Sequence, residues 1–450
     1  MLSPKRKLFN LLGLVSAAAL VLSACATPTA VPTQAPANTQ APENTQPPAA
    51  PTPTAEAGKT QVEVFSWWTT GGEAAGLQAL IDQFNSENAD AQVFNAAVAG
   101  GAGSNAKAVL KTRMLGGDPP DTFQVHMGHE LIDTWVTTDF MEPLDDVYAT
   151  YGLNDAFPQG VLDIVSFDGH PWSVPVNIHR ANVMWYNKTV LEANGIDPAT
   201  ISTFEGWQAA AETLKAAGIT PLALGDNGAW AAEHLFEVVA AGTLGADGYK
   251  GLWTGATDWN GPEVTQALEN FKMMLQYVNT DHAALSWDQA NQMVIDGTAA
   301  FTIMGDWVDG DYVAKGFTDY GWAPPPGTDG LYVALSDTFG LPKGTKNPEA
   351  TKEFLGVLGS KAGQEAFNKL KGSICARTDC DYSSFDAYLQ SSAADWQTDT
   401  ILPSLAHGAA ASEGWATAVI DAIGAFVTTQ DVASTQTQLA VACQDAGVCQ

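Results

Sequence analysis

Basic residues are scarce in this chain of 450 residues: 20 Lys and Arg stand against 50 Asp and Glu, a formal net charge of −30 at pH 7. A surface of that sign repels phosphate, which argues against nucleic acid or anionic lipid as a partner of the folded body. Cysteine is sparse too, at five residues. None has the Cys-x-x-Cys spacing of a zinc or redox site. Nor is there an apolar run suited to spanning a bilayer. The candidate, within residues 8–22, is short and closely followed by polar residues. The Gly-rich stretch G-G-A-G-S-N at 100–105 lacks the Gly-Lys-Ser/Thr of a phosphate loop and the context of a dinucleotide fingerprint, which excludes a nucleotide there.

What is present begins with a processing segment. Lys5, Arg6 and Lys7 precede a short apolar core, so residues 1–24 read as a signal peptide. The segment ends in Leu22-Ser23-Ala24-Cys25, which resembles the lipobox of bacterial lipoproteins. That resemblance implies cleavage before Cys25 and a lipid on it. Removing residues 1–24 takes away three basic residues and no acid, leaving a charge near −33. Between residues 26 and 58 lie eight of the 24 prolines and no aromatic residue. Nothing there can bury a core, so residues 25–59 read as an extended tether reaching ~100 Å at polyproline rise.

About 390 residues remain, enough for two lobes. They are organised around Q-V-E-V-F-S-W-W-T-T-G-G-E at 61–73: an alternating strand, two tryptophans, a Gly-Gly turn and then a helix whose apolar face carries Leu77, Leu80, Ile81 and Phe84. Ligands collect beyond the carboxyl ends of strands in open α/β sheets. Neighbouring strand residues point opposite ways, so at least one of Trp67 and Trp68 should face a cleft. The plainer alternative is one core and one half-exposed indole. Flat apolar faces beside a polar turn suit a sugar ring.

The alternation of strand and helix continues along the chain. A strand ends in His126, and a hairpin is expected over 161–176 around Asp168-Gly169. Thr203 should cap one helix and Pro262 open another. The strand at 299–304 ends in Gly305-Asp306-Trp307, a further strand end with an aromatic beside a carboxylate. His126 and His129 have helical spacing, but no third metal ligand lies nearby in sequence.

Several stretches resemble the family-1 extracellular solute-binding lipoproteins of bacterial sugar ABC importers, especially their glucose-binding branch. They are F-S-W-W, the run from G-G-A-G-S-N to D-P-P-D-T-F-Q-V-H, W-S-V-P-V-N-I-H-R-A-N-V-M-W-Y, M-G-D-W, L-S-D-T-F-G-L-P-K-G and L-K-G-S-I. The resemblance implies an α/β, two-lobe periplasmic-binding-protein-like fold with discontinuous lobes, hinge crossovers and a central cleft. One lobe would comprise 60–176 and 333–372, the other 177–332 and 373–450. It also implies a monomer without cofactor or catalysis, held outside the cell membrane by its lipid, that captures a monosaccharide (glucose foremost) and delivers it to an ABC permease. Carried over position by position, the ligand contacts would be Trp67, Trp68, Glu73, His126, Trp230, Asp306, Lys343 and His407. One residue more than the family pattern lies between Trp68 and Glu73, and the surroundings of Trp230 match loosely.

Each position has a chemical counterpart: carboxylates accept sugar hydroxyls, lysine donates to them, and aromatics cover C–H faces. Taken singly, Asp306 also suits a helix cap, Lys343 a solvated surface and His407 a satisfied turn histidine. The rival function is a glycoside hydrolase with Glu73 and Asp306 as its carboxyl pair. A metal- or peptide-binding receptor of the same architecture would need a His/acid cluster or a long groove, neither of which the sequence displays. Apart from Cys25, Cys375 with Cys380 and Cys443 with Cys449 read as two short disulfide loops in an exported chain, with cross-pairing between the clusters still open.

Overall fold

A computed structural model describes residues 58–449. The signal segment, Cys25 and nearly all of the tether lie outside the described residues.

The strand Thr60–Ser66 forms because Val62, Val64 and Phe65 can bury in a sheet, while Glu63 meets Arg113 at the margin. It pairs in parallel with Ala91–Ala97 on one side and Thr122–His126 on the other. Asp337–Pro342 then adds antiparallel to Thr122–His126 and carries Met141–Glu142 and Ser173–Pro175. Helix Gly71–Glu87 covers this sheet with Leu77, Leu80, Ile81 and Phe84, the apolar face expected from its spacing. Helices Pro348–Gly359 and Lys361–Lys371 complete the first lobe.

A second sheet runs in the order Thr220–Leu222, Ala299–Ile303, Met184–Asn187, Tyr320–Ala323. Thr203 accepts from the Gly206 amide at the start of helix Phe204–Ala216, and Pro262 opens helix Pro262–Leu275, as expected. A third sheet sets Leu331–Leu335 between Thr400–Pro403 and His179–Arg180. Leu331–Leu335 thus pairs away from the first sheet, and the chain returns to that sheet with Asp337–Pro342.

The chain crosses between the lobes at residues 176–178, at Ser336 and at 372–374. The crossings are bonded to one another. Ile178 and Ile374 exchange backbone hydrogen bonds of 2.7 and 3.0 Å. The Asp337 amide donates to Asn177 Oδ1 at 2.8 Å, and Asn368 Nδ2 donates to the Val176 carbonyl at 3.0 Å.

One local expectation changes. The hairpin around Asp168-Gly169 is only two residues per arm, Ser166–Phe167 with His170–Pro171. Residues Gln159–Val165 form a helix instead, burying Val161 and Val165 at helical spacing. The cysteines pair locally, Cys375 with Cys380 and Cys443 with Cys449.

Candidate ligand-binding cleft

Where the lobes meet, a small cavity of about 30 Å³ is lined from both sides. Trp67 and Trp68 enter it directly after the first strand. Trp67 N–H donates to Gln124 Oε1 and Trp68 N–H to Ser66 Oγ, which holds this non-strand backbone in place. Trp67 lies 5.1 Å from the His126 ring with the Lys107 ammonium 5.7 Å from its centre. Trp68 packs on Phe339 and Phe367 and carries the Lys371 ammonium 5.4 Å from its centre. Both indoles line the cavity.

The second lobe contributes Trp230, Trp287 and Trp307, each the first residue of a helix. Helix N-termini present unpaired amides and positive potential, so this wall combines apolar faces with attraction for oxygen. Gly101 and Gly103 let a loop approach these indoles closely. A Cβ on Gly101 would fall 2.0 Å from Trp230 Nε1, and one on Gly103 2.6 Å from Trp67.

The charged groups of the cavity are buried and mutually bonded. Lys371 Nζ donates to Glu73 Oε1 at 3.0 Å. Asp337 accepts from Gln124 Nε2 at 2.7 Å and Asn177 Nδ2 at 2.9 Å, with His179 Nε2 at 3.4 Å. Burial pushes the Glu73 carboxyl up, and the Lys371 charge only partly offsets this. Burial acts the same way on Asp337, but His179, Lys371 and His126 outweigh it and hold that carboxyl well below its ordinary range. His126 Nδ1 sits 2.7 Å from Glu130, which also pairs with Lys107 at 2.7 Å. His407 stands edge-on to His126 and Trp307, with Nδ1 2.8 Å from Ser404 Oγ. Burial, then the charges of His126, His234 and Lys107, keep its pKa well below the usual value. His407 is therefore neutral at pH 7 and can both donate and accept.

Of the positions carried over from the family resemblance, Trp67, Trp68, Glu73, His126, Trp230 and His407 line this cavity. Asp306 and Lys343 do not. Asp306 is fully buried behind the wall, where its carboxylate accepts from the Arg180 amide at 2.9 Å and bonds His179 Nδ1. It precedes helix Trp307–Lys315 without capping it through its side chain. Lys343 ends the strand Asp337–Pro342 at the surface, with its ammonium on Asp139. Asp337, at the other end of that strand, lines the cavity beside Glu73, as does the cation Lys371. Sequence reasoning also passed over His179 and Trp287, and noted Trp307 only as an aromatic at a strand end. His179, Trp307, Asp337 and Lys371 all lie inside stretches that carried the resemblance. Their signal was the motif, not the residue type.

The glycosidase pair fails on geometry, since Asp306 faces His179 and Arg180 and not Glu73. His126 and His129 do not converge either: His129 is exposed on Asp133. Behind His407, His234 and Glu237 bring metal-ligand atoms within 4.8 Å of it. The Glu237 carboxylate is already engaged by Ser404 Oγ and the Leu405 and Ala406 amides. The cleft thus sets aromatic faces beside buried hydrogen-bonding groups.

Comparison with known proteins agrees with that chemistry. The bacterial extracellular solute-binding proteins match residues 67–365. An "uncharacterized ABC transporter extracellular-binding protein" of Pyrococcus horikoshii is 38% identical over 397 residues, covering 86% of this chain and 89% of the relative. A "probable sugar-binding periplasmic protein" of Brucella suis is 33% identical, covering 82% and 89%. Among solved structures, a bacterial solute receptor described with an exclusive preference for β-D-galactopyranose superposes with a TM-score of 0.76 at 20% identity, covering 86% of this chain and 99% of that one. The chain belongs to the bacterial extracellular solute-binding protein family, and it is a binding protein, not an enzyme.

Proposed function

We propose that the chain is the extracytoplasmic receptor of a sugar ABC importer. It captures one hexose of the glucose type between its lobes and passes it to a permease in the membrane. The observation that carries this reading is the cavity itself: five tryptophans around Glu73, Asp337 and Lys371. A pyranose offers apolar C–H faces to indoles and hydroxyl edges to charged acceptors and donors. A relative named for sugar binding supports the ligand class. The lipobox-like Leu22–Cys25 supports anchoring by lipid and tether outside the membrane.

Isothermal titration of the purified protein with glucose, galactose, mannose and xylose tests the reading. Saturable one-to-one binding of a monosaccharide, with no release of reducing sugar from oligosaccharides, is expected. No binding to any sugar, or steady hydrolysis, overturns it.

A further inference from the structure

Glu237 does not line the cavity, yet one hydroxyl separates it from a residue that does. It belongs to helix Trp230–Thr254 and is 1% exposed. Its Oε2 accepts from the Leu405 amide at 2.6 Å and the Ala406 amide at 3.2 Å. Its Oε1 accepts from Ser404 Oγ at 2.8 Å, and the same Oγ stands 2.8 Å from His407 Nδ1. Nδ1 is thus taken, which leaves Nε2 as the His407 nitrogen for a ligand in the cavity.

Glu237, Ser404 and His407 form a line of three groups, and a buried donor without an acceptor is costly. An ionised Glu237 only accepts, so the Ser404 proton turns to Oε1. Ser404 Oγ then accepts from Nδ1–H, and Nε2 presents a lone pair. A protonated Glu237 carries its proton on Oε1, because two amides already occupy Oε2. It donates to Ser404, the hydroxyl turns to Nδ1, and Nε2 carries the hydrogen. Each state of the carboxyl leaves one arrangement in which every proton has an acceptor. The other ionisable groups beside Glu237 are Glu233, His234 and Tyr249. The Tyr249 hydroxyl is 3.4 Å from Oε2 and closer, at 3.0 Å, to the Pro403 carbonyl. Around His407 stand His126, His234, Lys107 and Asp337. Among the described residues, Ser404 is the one hydrogen-bond partner of its ring.

We propose that Glu237 is a positioning residue for recognition: through Ser404 it sets which tautomer of His407 faces the ligand, and so whether His407 accepts from a hydroxyl or donates to one. The proposal rests on the reading of the cavity as a sugar site. Burial pushes the Glu237 carboxyl up to about 7, which brings both states within reach near neutral pH.

The test is nitrogen NMR of the full chain labelled with 15N at its seven histidines, with His407→Gln to assign the signal. In the wild type, His407 should pass from Nε2–H at pH 6 to Nδ1–H at pH 8. In Glu237→Gln the amide oxygen keeps the Leu405 and Ala406 bonds while the NH2 donates to Ser404, so Nε2–H should persist at both pH values. Ser404→Ala should uncouple the tautomer from pH. A wild-type tautomer that stays the same from pH 5 to 9 overturns the relay even if no variant folds. So does a tautomer that titrates identically in Glu237→Gln. Calorimetric titration at pH 8 with glucose, galactose and their monodeoxyfluoro analogues reads the consequence. Fluorine cannot donate, so one analogue should lose affinity relative to its parent sugar in the wild type. Glu237→Gln should recover roughly 2- to 13-fold of that ratio, the worth of one neutral hydrogen bond. Unchanged ratios for every analogue overturn the role in recognition. Binding of neither sugar overturns the reading of the cavity as a hexose site and the recognition role with it, while the spectra still decide the relay.

Discussion

Two lysines separate the structural assignment from the positional one. Lys371 is 1% exposed, donates to Glu73 at 3.0 Å, and lies over both Trp68 and Trp307 at 5.4 and 5.7 Å. Lys343 is at the surface on Asp139. Lys371→Met removes the ammonium and keeps the apolar stem that packs between the indoles. One lost hydrogen bond to a charged group costs ~1.5–3 kcal/mol, so sugar binding should weaken roughly 10- to 150-fold. Stability falls as well, because Glu73 is left buried beside no cation. Breaking such a pair costs up to ~3–5 kcal/mol. Here the loss is limited, since the Glu73 carboxyl is already pushed upward by burial and can take a proton. Lys371→Met combined with Glu73→Gln should therefore recover thermal stability without recovering binding. Lys343→Ala should change neither. Calorimetric titration and differential scanning calorimetry on the four proteins measure both quantities. Wild-type affinity in Lys371→Met, or lost affinity in Lys343→Ala, would refute the assignment.

Cys25→Ser should move the protein from the membrane to the soluble fraction of its host, and persistent membrane association would count against the lipid anchor. The disulfides close sequence separations of five and six residues, so Cys443→Ser with Cys449→Ser should cost less than the ~3 kcal/mol of a 15-residue loop in chemical denaturation. A larger loss would mean that the bond does more than restrict the unfolded chain. Burial also raises the pKa of Glu233 well above its ordinary value and that of Glu237 to about 7, and neither Glu233 oxygen has a hydrogen-bond partner. Between about pH 4.5 and 7 the folded state therefore holds protons that the unfolded state has released, and stability falls as pH rises through that window. Glu233→Gln should raise Tm at pH 8 and do little at pH 5. Equal shifts at both pH values would contradict burial as the cause.

Local chemistry made much of the fold legible. The strand before Trp67, the apolar face of helix Gly71–Glu87, the Thr203 cap and the Pro262 start follow from short-range periodicity and capping, and all four form as expected. The hairpin over 161–176 is mostly absent because alternation and helical spacing agree over so short a stretch. Val161 and Val165 satisfy the helix. Within the cleft, the aromatic strand end at Trp67 and Trp68 was visible because two adjacent indoles conflict with simple alternation. Asp306 and Lys343 lie near lining residues in sequence but outside the cavity. Trp307 follows Asp306 and lines the cavity while the acid turns back to the Arg180 amide. Asp337 and Lys343 flank one strand, and only its buried end reaches the cleft. Which end is buried depends on the crossings between lobes, and those pair residues more than 150 positions apart, as Asn177 with Asp337.

The crossings also explain where the charge of the cavity resides. His179 follows the first, Asp337 the second, and Lys371 precedes the third, so each of the three connections brings one ionisable group to the same place. Asp337 bonds Asn177 on a neighbouring crossing, and His179 bonds Asp306 behind the wall while its Nε2 stands 3.4 Å from Asp337. Rotation of two lobes about such connections displaces atoms in proportion to their distance from them. His179, Asp337 and Lys371 would hardly move, whereas the contact of Lys111 with Glu413 at the far rim would open first and widest. The polar floor of the site is thus preformed, and its recognition of hydroxyls needs little reorganisation. The contacts that depend on closure are those of Trp230, which packs on the Gly101 loop, and of the rim pair, whereas Trp307 packs on His179 and Lys371 beside the crossings. A ligand too small to touch Trp230 has no means of favouring the closed arrangement, because only differential contact shifts such an equilibrium.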